Sequence, residues 1–199
     1  SGKVKSVFTT DEDDKVIIEF RDDMTAGDGE RKEVMNNKGA YNAVISSKIF
    51  KVLEENGVET QYIDLPEPNV MIAKKLEMIP IEVIVRNIAT GSLVRRYPIE
   101  DGTKLEPPIV QMDFKDDEYH DPMLNDSIIK ALGIATQEEI GILTEKALKI
   151  NEILTKFFAD EGIILVDYKE EFGKDKDGKI HLGDEISPDG CRLWDSETL

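Results

Sequence analysis

At 199 residues with 40% hydrophobic content, the chain is long enough to bury a core, either in one domain or in two small lobes meeting at a cleft. Its formal charge of −17 leaves no overall basic face, which argues against nucleic-acid binding and against attachment to anionic membranes. A single cysteine, Cys191, excludes an intrachain disulfide framework and a thiolate zinc site. The longest strongly apolar run, residues 163–166, falls far short of the roughly 20 residues of a membrane span, and no signal-peptide core opens the sequence, so the expected setting is the cytoplasm.

Taken in order, residues 3–8 and 15–20 read as two strands joined by the polar turn 11–14 into a hairpin. Residues 24–29 (MTAGDG) form a polar stretch whose glycines suit either close backbone approach to a ligand or a plain loop. Val44, Ile45, Ile49, Val52 and Leu53 recur at helical spacing within residues 41–56, with Gly57 as the stop. Residues 61–65, 70–76 and 81–87 then read as strands, punctuated by Pro66, Pro68 and Pro80. The proline-rich, charged stretch 98–122 predicts a long ordered loop. Thr136 and Glu139 make a capping box, and Ile140, Leu143, Ala147, Ile150, Leu154 and Phe157 stripe one face of a helix ending at Gly162. Residues 163–172 and 179–184 predict two strands around the turn 174–178.

Strand alternation puts Asp167, Lys169 and Glu171 on one face with Leu165, a charged row that fits either a solvated edge strand or a working site. Positions four apart on a strand are separated by about 13 Å, so Asp167 and Glu171 cannot share one magnesium ligated at roughly 2.1 Å. Asp184, at the end of the returning strand, supplies a third carboxylate. The hairpin register brings it nearer Asp167, but a one-residue slip reverses its facing, and its partner stays open. Hard oxygen donors suit magnesium better than zinc. His120, in the acidic run 116–121, reads as a solvated side chain in preference to a metal ligand. The local basic groups Lys3, Lys5, Lys74, Lys75, Arg86, Arg95, Arg96 and Arg192 stand out against the acidic background, although each alone fits solvated surface.

Together, several segments resemble the SAICAR synthetases, the phosphoribosylaminoimidazole-succinocarboxamide synthases. These are residues 2–8 (GKVKSVF), 19–23 (EFRDD), 25–29 (TAGDG), 85–87 (VRN), 91–93 (GSL) and 120–123 (HDPM), with the longer 165–173 (LVDYKEEFG) and 183–195 (GDEISPDGCRLWD). The resemblance implies an α+β fold: an antiparallel-sheet N-terminal lobe, residues 1–76, resembling a protein-kinase lobe, and a larger α/β C-terminal lobe, residues 77–199, with ATP in the cleft between them. It also implies a ligase of de novo purine biosynthesis that joins L-aspartate to the carboxylate of carboxyaminoimidazole ribotide. ATP and Mg2+ would be its cofactors, the products SAICAR, ADP and phosphate, and an acyl phosphate the route.

In that resemblance Gly2, Lys3, Lys5, Val7, Val16, Lys74, Lys75, Met78 and Lys115 are expected at ATP, and Glu171 and Asp184 at the metal. Asp167 and Lys169 are expected at the reacting carboxylate, and Arg86, Ser92, Arg192 and Asp28 at the ribotide. The family is expected to continue past residue 199 with a further helix, and it often has serine where Cys191 stands. Small molecules are the only partners the resemblance requires, and it leaves a homo-oligomer open. A small-molecule kinase using the same ATP lobe is the alternative, and an acidic nucleotide-binding module without turnover a third reading.

Overall fold

The computed structural model describes residues 4–26, 31–34 and 36–197. β1 (Lys5–Thr9) and β2 (Lys15–Phe20) form the expected hairpin, with Val7 opposite Ile18. A second antiparallel pair, β3 (Asp23–Ala26) with β4 (Arg31–Val34), follows. α1 (Lys38–Glu55) starts where the Asp22 carboxylate accepts hydrogen bonds from the backbone N–H groups of Asn37 and Gly39, at 3.2 and 3.0 Å. This is a cap delivered from 15 residues away in the case of Asn37, which no local pattern announces. β5 (Tyr62–Glu67) and β6 (Val70–Lys74) complete a four-stranded sheet of order β1-β2-β6-β5.

β7 (Glu77–Met78) leads to β8 (Ile81–Ile88), the short α2 (Ser92–Arg96) and β9 (Lys104–Phe114). The long loop expected across 98–122 is thus corrected, since its middle is an 11-residue strand. β9 pairs with β8 from Phe114 to Ile109 and again at Lys104, and Pro107 and Pro108 fall in the register break between. The ladder needs no N–H from them there, so the prolines do not stop the strand.

β10 (Met123–Leu124), α3 (Asp126–Ala131) and α4 (Gln137–Ala159) come next. The capping box forms as expected: Thr136 Oγ1 accepts from the Glu139 N–H at 3.1 Å, and Glu139 accepts from the Thr136 N–H at 3.0 Å. Such a cap stabilises a helix by about 1 kcal/mol. The buried stripe runs Ile140, Leu143, Ala147, Ile150, Leu154, Phe158, with Phe158 in place of the expected Phe157, which packs beside it edge to face. β11 (Ile163–Glu170), β12 (Phe172–Lys174), β13 (Ile180–Leu182) and β14 (Cys191–Asp195) close the chain.

β11 is an inner strand of a five-stranded sheet of order β10-β9-β8-β11-β14, paired with β8 and β14, which excludes the solvated-edge reading of its charged row. β12 belongs to another sheet, β13-β12-β7. All ladders between the named strands are antiparallel. One hydrophobic cluster runs through both halves, joining Ile18, Phe20, Phe50 and Met71 to Val83, Val85, Leu143, Leu154 and Tyr168. The central sheet therefore has a core face, carrying Val83, Val85 and Tyr168, and an opposite face carrying Ile84, Arg86, Asp167 and Lys169. No described helix is long and apolar enough to cross a membrane.

Candidate active site

A bulge between Leu165 and Asp167 in the pairing with β14 breaks the simple alternation expected of this strand. Leu165 therefore joins the core, while Asp167 faces a cavity of about 310 Å³ lined also by Arg86, Ser92, Gln111, Lys169 and Arg192. Asp167 is only 5% exposed. Its Oδ1 lies 3.2 Å from Arg192 Nε and its Oδ2 3.6 Å from Arg86 Nη1. Burial pushes its carboxyl up, and the two guanidinium groups and Lys169 pull it back towards the ionised form.

The Arg86 guanidinium donates from Nη2 to Ser92 Oγ and from Nε to Gln111 Oε1, each at 3.1 Å. Gly91, at φ 60°, lets Arg192 lie against the start of α2, since a Cβ there would sit 2.3 Å from Arg192 Nη1. The expected substrate set of Arg86, Ser92 and Arg192 and the expected catalytic pair of Asp167 and Lys169 thus surround one cavity. Cys191 also lines it, with its thiol pushed up to about 12 chiefly by burial, which makes it a poor nucleophile.

Glu171 stands at the break between β11 and β12, so it leaves the Asp167 row instead of extending it. The Gly183 N–H donates to the Glu171 carbonyl at 2.9 Å, which puts Asp184 beside Glu171 and away from Asp167, settling the pairing that the sequence left open. Asp184 holds a left-handed backbone, φ 50°, a conformation that aspartate tolerates better than most residues, and its carbonyl accepts from Gln61 Nε2 at 2.7 Å. The Lys5 ammonium bonds the Asp184 carboxylate and, at 2.8 Å, Glu185 Oε1, while Lys115 bonds Glu171. Burial opposes the charge on Asp184, but Lys5 and Lys115 hold it ionised. Burial and then the Asp184 charge push Glu171 up.

The other residues expected at ATP divide between two places. Lys74 and Lys75 line a cleft of about 430 Å³ with Asp14, Lys15, Glu77 and the turn 174–177, a lining that does not include Lys5, Val7, Val16 or Met78. Met78 and Leu76 instead lie flat on Gly173, where a Cβ would come within 2.8 Å of both side chains. Val7 is exposed on β1, and Val16 packs partly against the core. Gly2, Lys3 and Asp28 lie outside the described residues.

Several residues at these sites escaped the sequence reading. Gln111 and Asp113 were hidden because β9 was read as loop. Glu82 lies 3.6 Å from Lys169, and it could have been found from the alternation 82, 84, 86 that puts it on the face of Arg86. Asp189 enters the cavity lining held by Lys38 at 2.5 Å and Asn42 at 3.1 Å, both on α1, a contact visible only in three dimensions. His120 is exposed, as expected of a solvated side chain, and also lines the same cavity. Among the described residues no group of three or more His, Cys, Asp or Glu side chains gathers as a metal cage.

A cavity lined by guanidinium groups around one buried carboxylate, next to a lysine-capped carboxylate pair, is chemically suited to small anions in an α+β fold. The sequence matches the SAICAR synthetase family model over residues 1–199, and the chain belongs to that family of purine-biosynthesis ligases. It is 81% identical to the phosphoribosylaminoimidazole-succinocarboxamide synthase of Methanobrevibacter smithii over 199 residues, all of this chain and 82% of that protein. The enzyme of Methanocaldococcus jannaschii is 62% identical over 198 residues, covering 100% and 81% respectively. A SAICAR synthetase solved in complex with ADP superposes with a TM-score of 0.95 at 50% identity, over all of this chain and 84% of that one. That of Pyrococcus horikoshii OT3 gives 0.92 at 50% identity, over 98% and 84%.

Proposed function

We propose that the chain joins L-aspartate to the carboxylate of carboxyaminoimidazole ribotide, converting ATP to ADP and phosphate. The observation that carries this reading is the meeting of Arg86, Ser92, Arg192, Asp167 and Lys169 around one cavity. Fork-shaped guanidinium groups with a hydroxyl donor suit the ribotide phosphate, so Arg86, Arg192 and Ser92 bind it. Lys169 and Asp167 hold the reacting carboxylate and the incoming amine. In the first step the carboxylate oxygen takes the γ-phosphoryl group and ADP leaves. In the second the amine nitrogen attacks the acyl carbon, phosphate leaves with the C–O electron pair, and the amine gives up a proton.

ATP lies between the four-stranded sheet with α1, which we read as a lobe like that of protein kinases ending near residue 76, and the remainder of the chain. Lys5 and Lys115 hold its phosphates, Lys3 and Gly2 extend that contact, and Val7, Val16 and the segment 74–78 enclose the base. Glu171 and Asp184 fit magnesium: they are adjacent hard oxygen donors, and two carboxylates suffice for an ion that keeps waters and phosphate oxygens in its shell. Bound there, magnesium would neutralise charge on the transferring phosphoryl group. Asp28 remains a proposed ribotide contact, and the cytoplasm the proposed setting.

The test is an assay in which the ribotide, L-aspartate, ATP and magnesium are omitted in turn. Product SAICAR should require all four. ATP turnover indifferent to L-aspartate would replace the ligase with a small-molecule kinase.

A further inference from the structure

We infer that Gln111 and Asp113 are a positioning pair that sets the direction of the Arg86 guanidinium in the anion cavity. The inference rests on the proposed role of Arg86 at the ribotide phosphate and adds two residues to it.

Both lie on β9 two positions apart, so both face the cavity, which they line. Gln111 Nε2 donates to Asp113 Oδ1 at 3.0 Å, and Gln111 Oε1 accepts from Arg86 Nε at 3.1 Å. A carboxylate can only accept, and the Arg86 Nε–H can only donate. Turning the Gln111 amide over would set its oxygen against Asp113 and its NH2 group against Arg86, two repulsive contacts in place of two bonds. Asp113 therefore selects one of the two amide orientations, and Gln111 passes that choice to Arg86.

Arg86 is 4% exposed and has few alternatives. With Nε held by Gln111, Nη2 by Ser92 and Nη1 facing Asp167, its plane is defined on three sides. A planar fork binds a phosphate well only when that plane is correctly aimed, so the pair acts on affinity for the phosphate-bearing substrate. Neither residue needs to touch the reacting atoms.

The experiment is steady-state kinetics on the wild type, Gln111→Met, Arg86→Met and the double variant, with the ribotide and ATP varied separately. Gln111→Met should raise the ribotide KM by about tenfold, the scale of one charge-assisted hydrogen bond, and leave the ATP KM unchanged. The double variant should be no worse than Arg86→Met alone, because Gln111 acts through Arg86. Asp113→Ala should raise the same KM by a smaller factor, and Asp113→Asn, which keeps an acceptor oxygen, should stay near wild type. If Gln111→Met does not fold, the two Asp113 variants carry the test. An unchanged ribotide KM in Arg86→Met overturns the phosphate reading itself. A raised KM in Arg86→Met with no change in either Gln111→Met or Asp113→Ala overturns only the positioning pair, as does full additivity of Gln111→Met with Arg86→Met.

Discussion

The anion cavity and the lysine-capped carboxylates draw on the same stretch of chain, residues 167–171, yet they are built differently. In the cavity, Asp167 sits on an inner strand with Arg86 opposite it on β8 and Arg192 opposite it on β14, so sheet register alone sets the three charges together. In the carboxylate pair every member lies at an end or a break: Lys5 opens β1, Lys115 follows β9, Glu171 separates β11 from β12, and Asp184 follows β13. Their meeting depends on how three sheets abut. The difference separates a charge constellation set by the pairing of neighbouring strands from one set by chain ends and breaks brought together from three sheets.

That contrast can be broken most directly at Asp184. Asp184→Asn should lower SAICAR formation by more than about a hundredfold at saturating substrate, since the proposed magnesium site would lose one of its two carboxylates. Circular dichroism should show the fold intact. In the cavity, Arg192→Met should act on affinity instead, raising the ribotide KM by roughly tenfold with the ATP KM unchanged. If both substitutions moved kcat alone, the two regions would not be separate in function.

A smaller effect is expected on the core side of the same strand. Glu170 is 1% exposed, neither carboxylate oxygen has a hydrogen-bond partner among the described residues, and burial holds its carboxyl protonated far above its ordinary range. Glu170→Leu removes an unsatisfied polar group and should stabilise by about 2 kcal/mol, raising the thermal midpoint by several degrees with activity retained. A lowered midpoint would mean that Glu170 has a polar role which the core face does not reveal.

The smallest effect lies in the turn beyond β12, remote from both charge groups. The Asp175 carboxylate bonds His181 Nε2 at 2.9 Å and accepts from the Asp177 and Lys179 N–H groups, and its pKa is held down at about 2 by His181 first and by those backbone bonds next. A depressed acid binds fewer protons folded than unfolded, so its contribution is present above its ordinary value of 3.8 and is lost as pH falls towards about 2. Asp175→Asn should therefore lower the melting temperature near neutrality by a degree or two. The difference should vanish in melts at the acid end of that window.

Much of this could be read locally. The hairpin of β1 and β2, the capping box of α4 and its buried stripe follow from turn chemistry and periodicity, which act over a few residues. β9 was misread because two prolines look like a loop when the bulge that accommodates them cannot be seen. The row Asp167, Lys169, Glu171 was recognised, but its alternation was broken at both ends, by a bulge before Asp167 and by the sheet change at Glu171.

The sequence by itself determined the chemistry available. It carries motifs that resemble those of one family, a large acidic excess, one cysteine, and carboxylates, lysines and arginines in a recognisable order. Tertiary structure alone decided which of these meet. Asp184 joins Glu171 because a backbone bond from Gly183 sets the return register, and Gln111 reaches Arg86 because β9 is laddered to β8. Register is a property of two strands together, fixed by the faces they must bury in common, so no single stretch of sequence contains it.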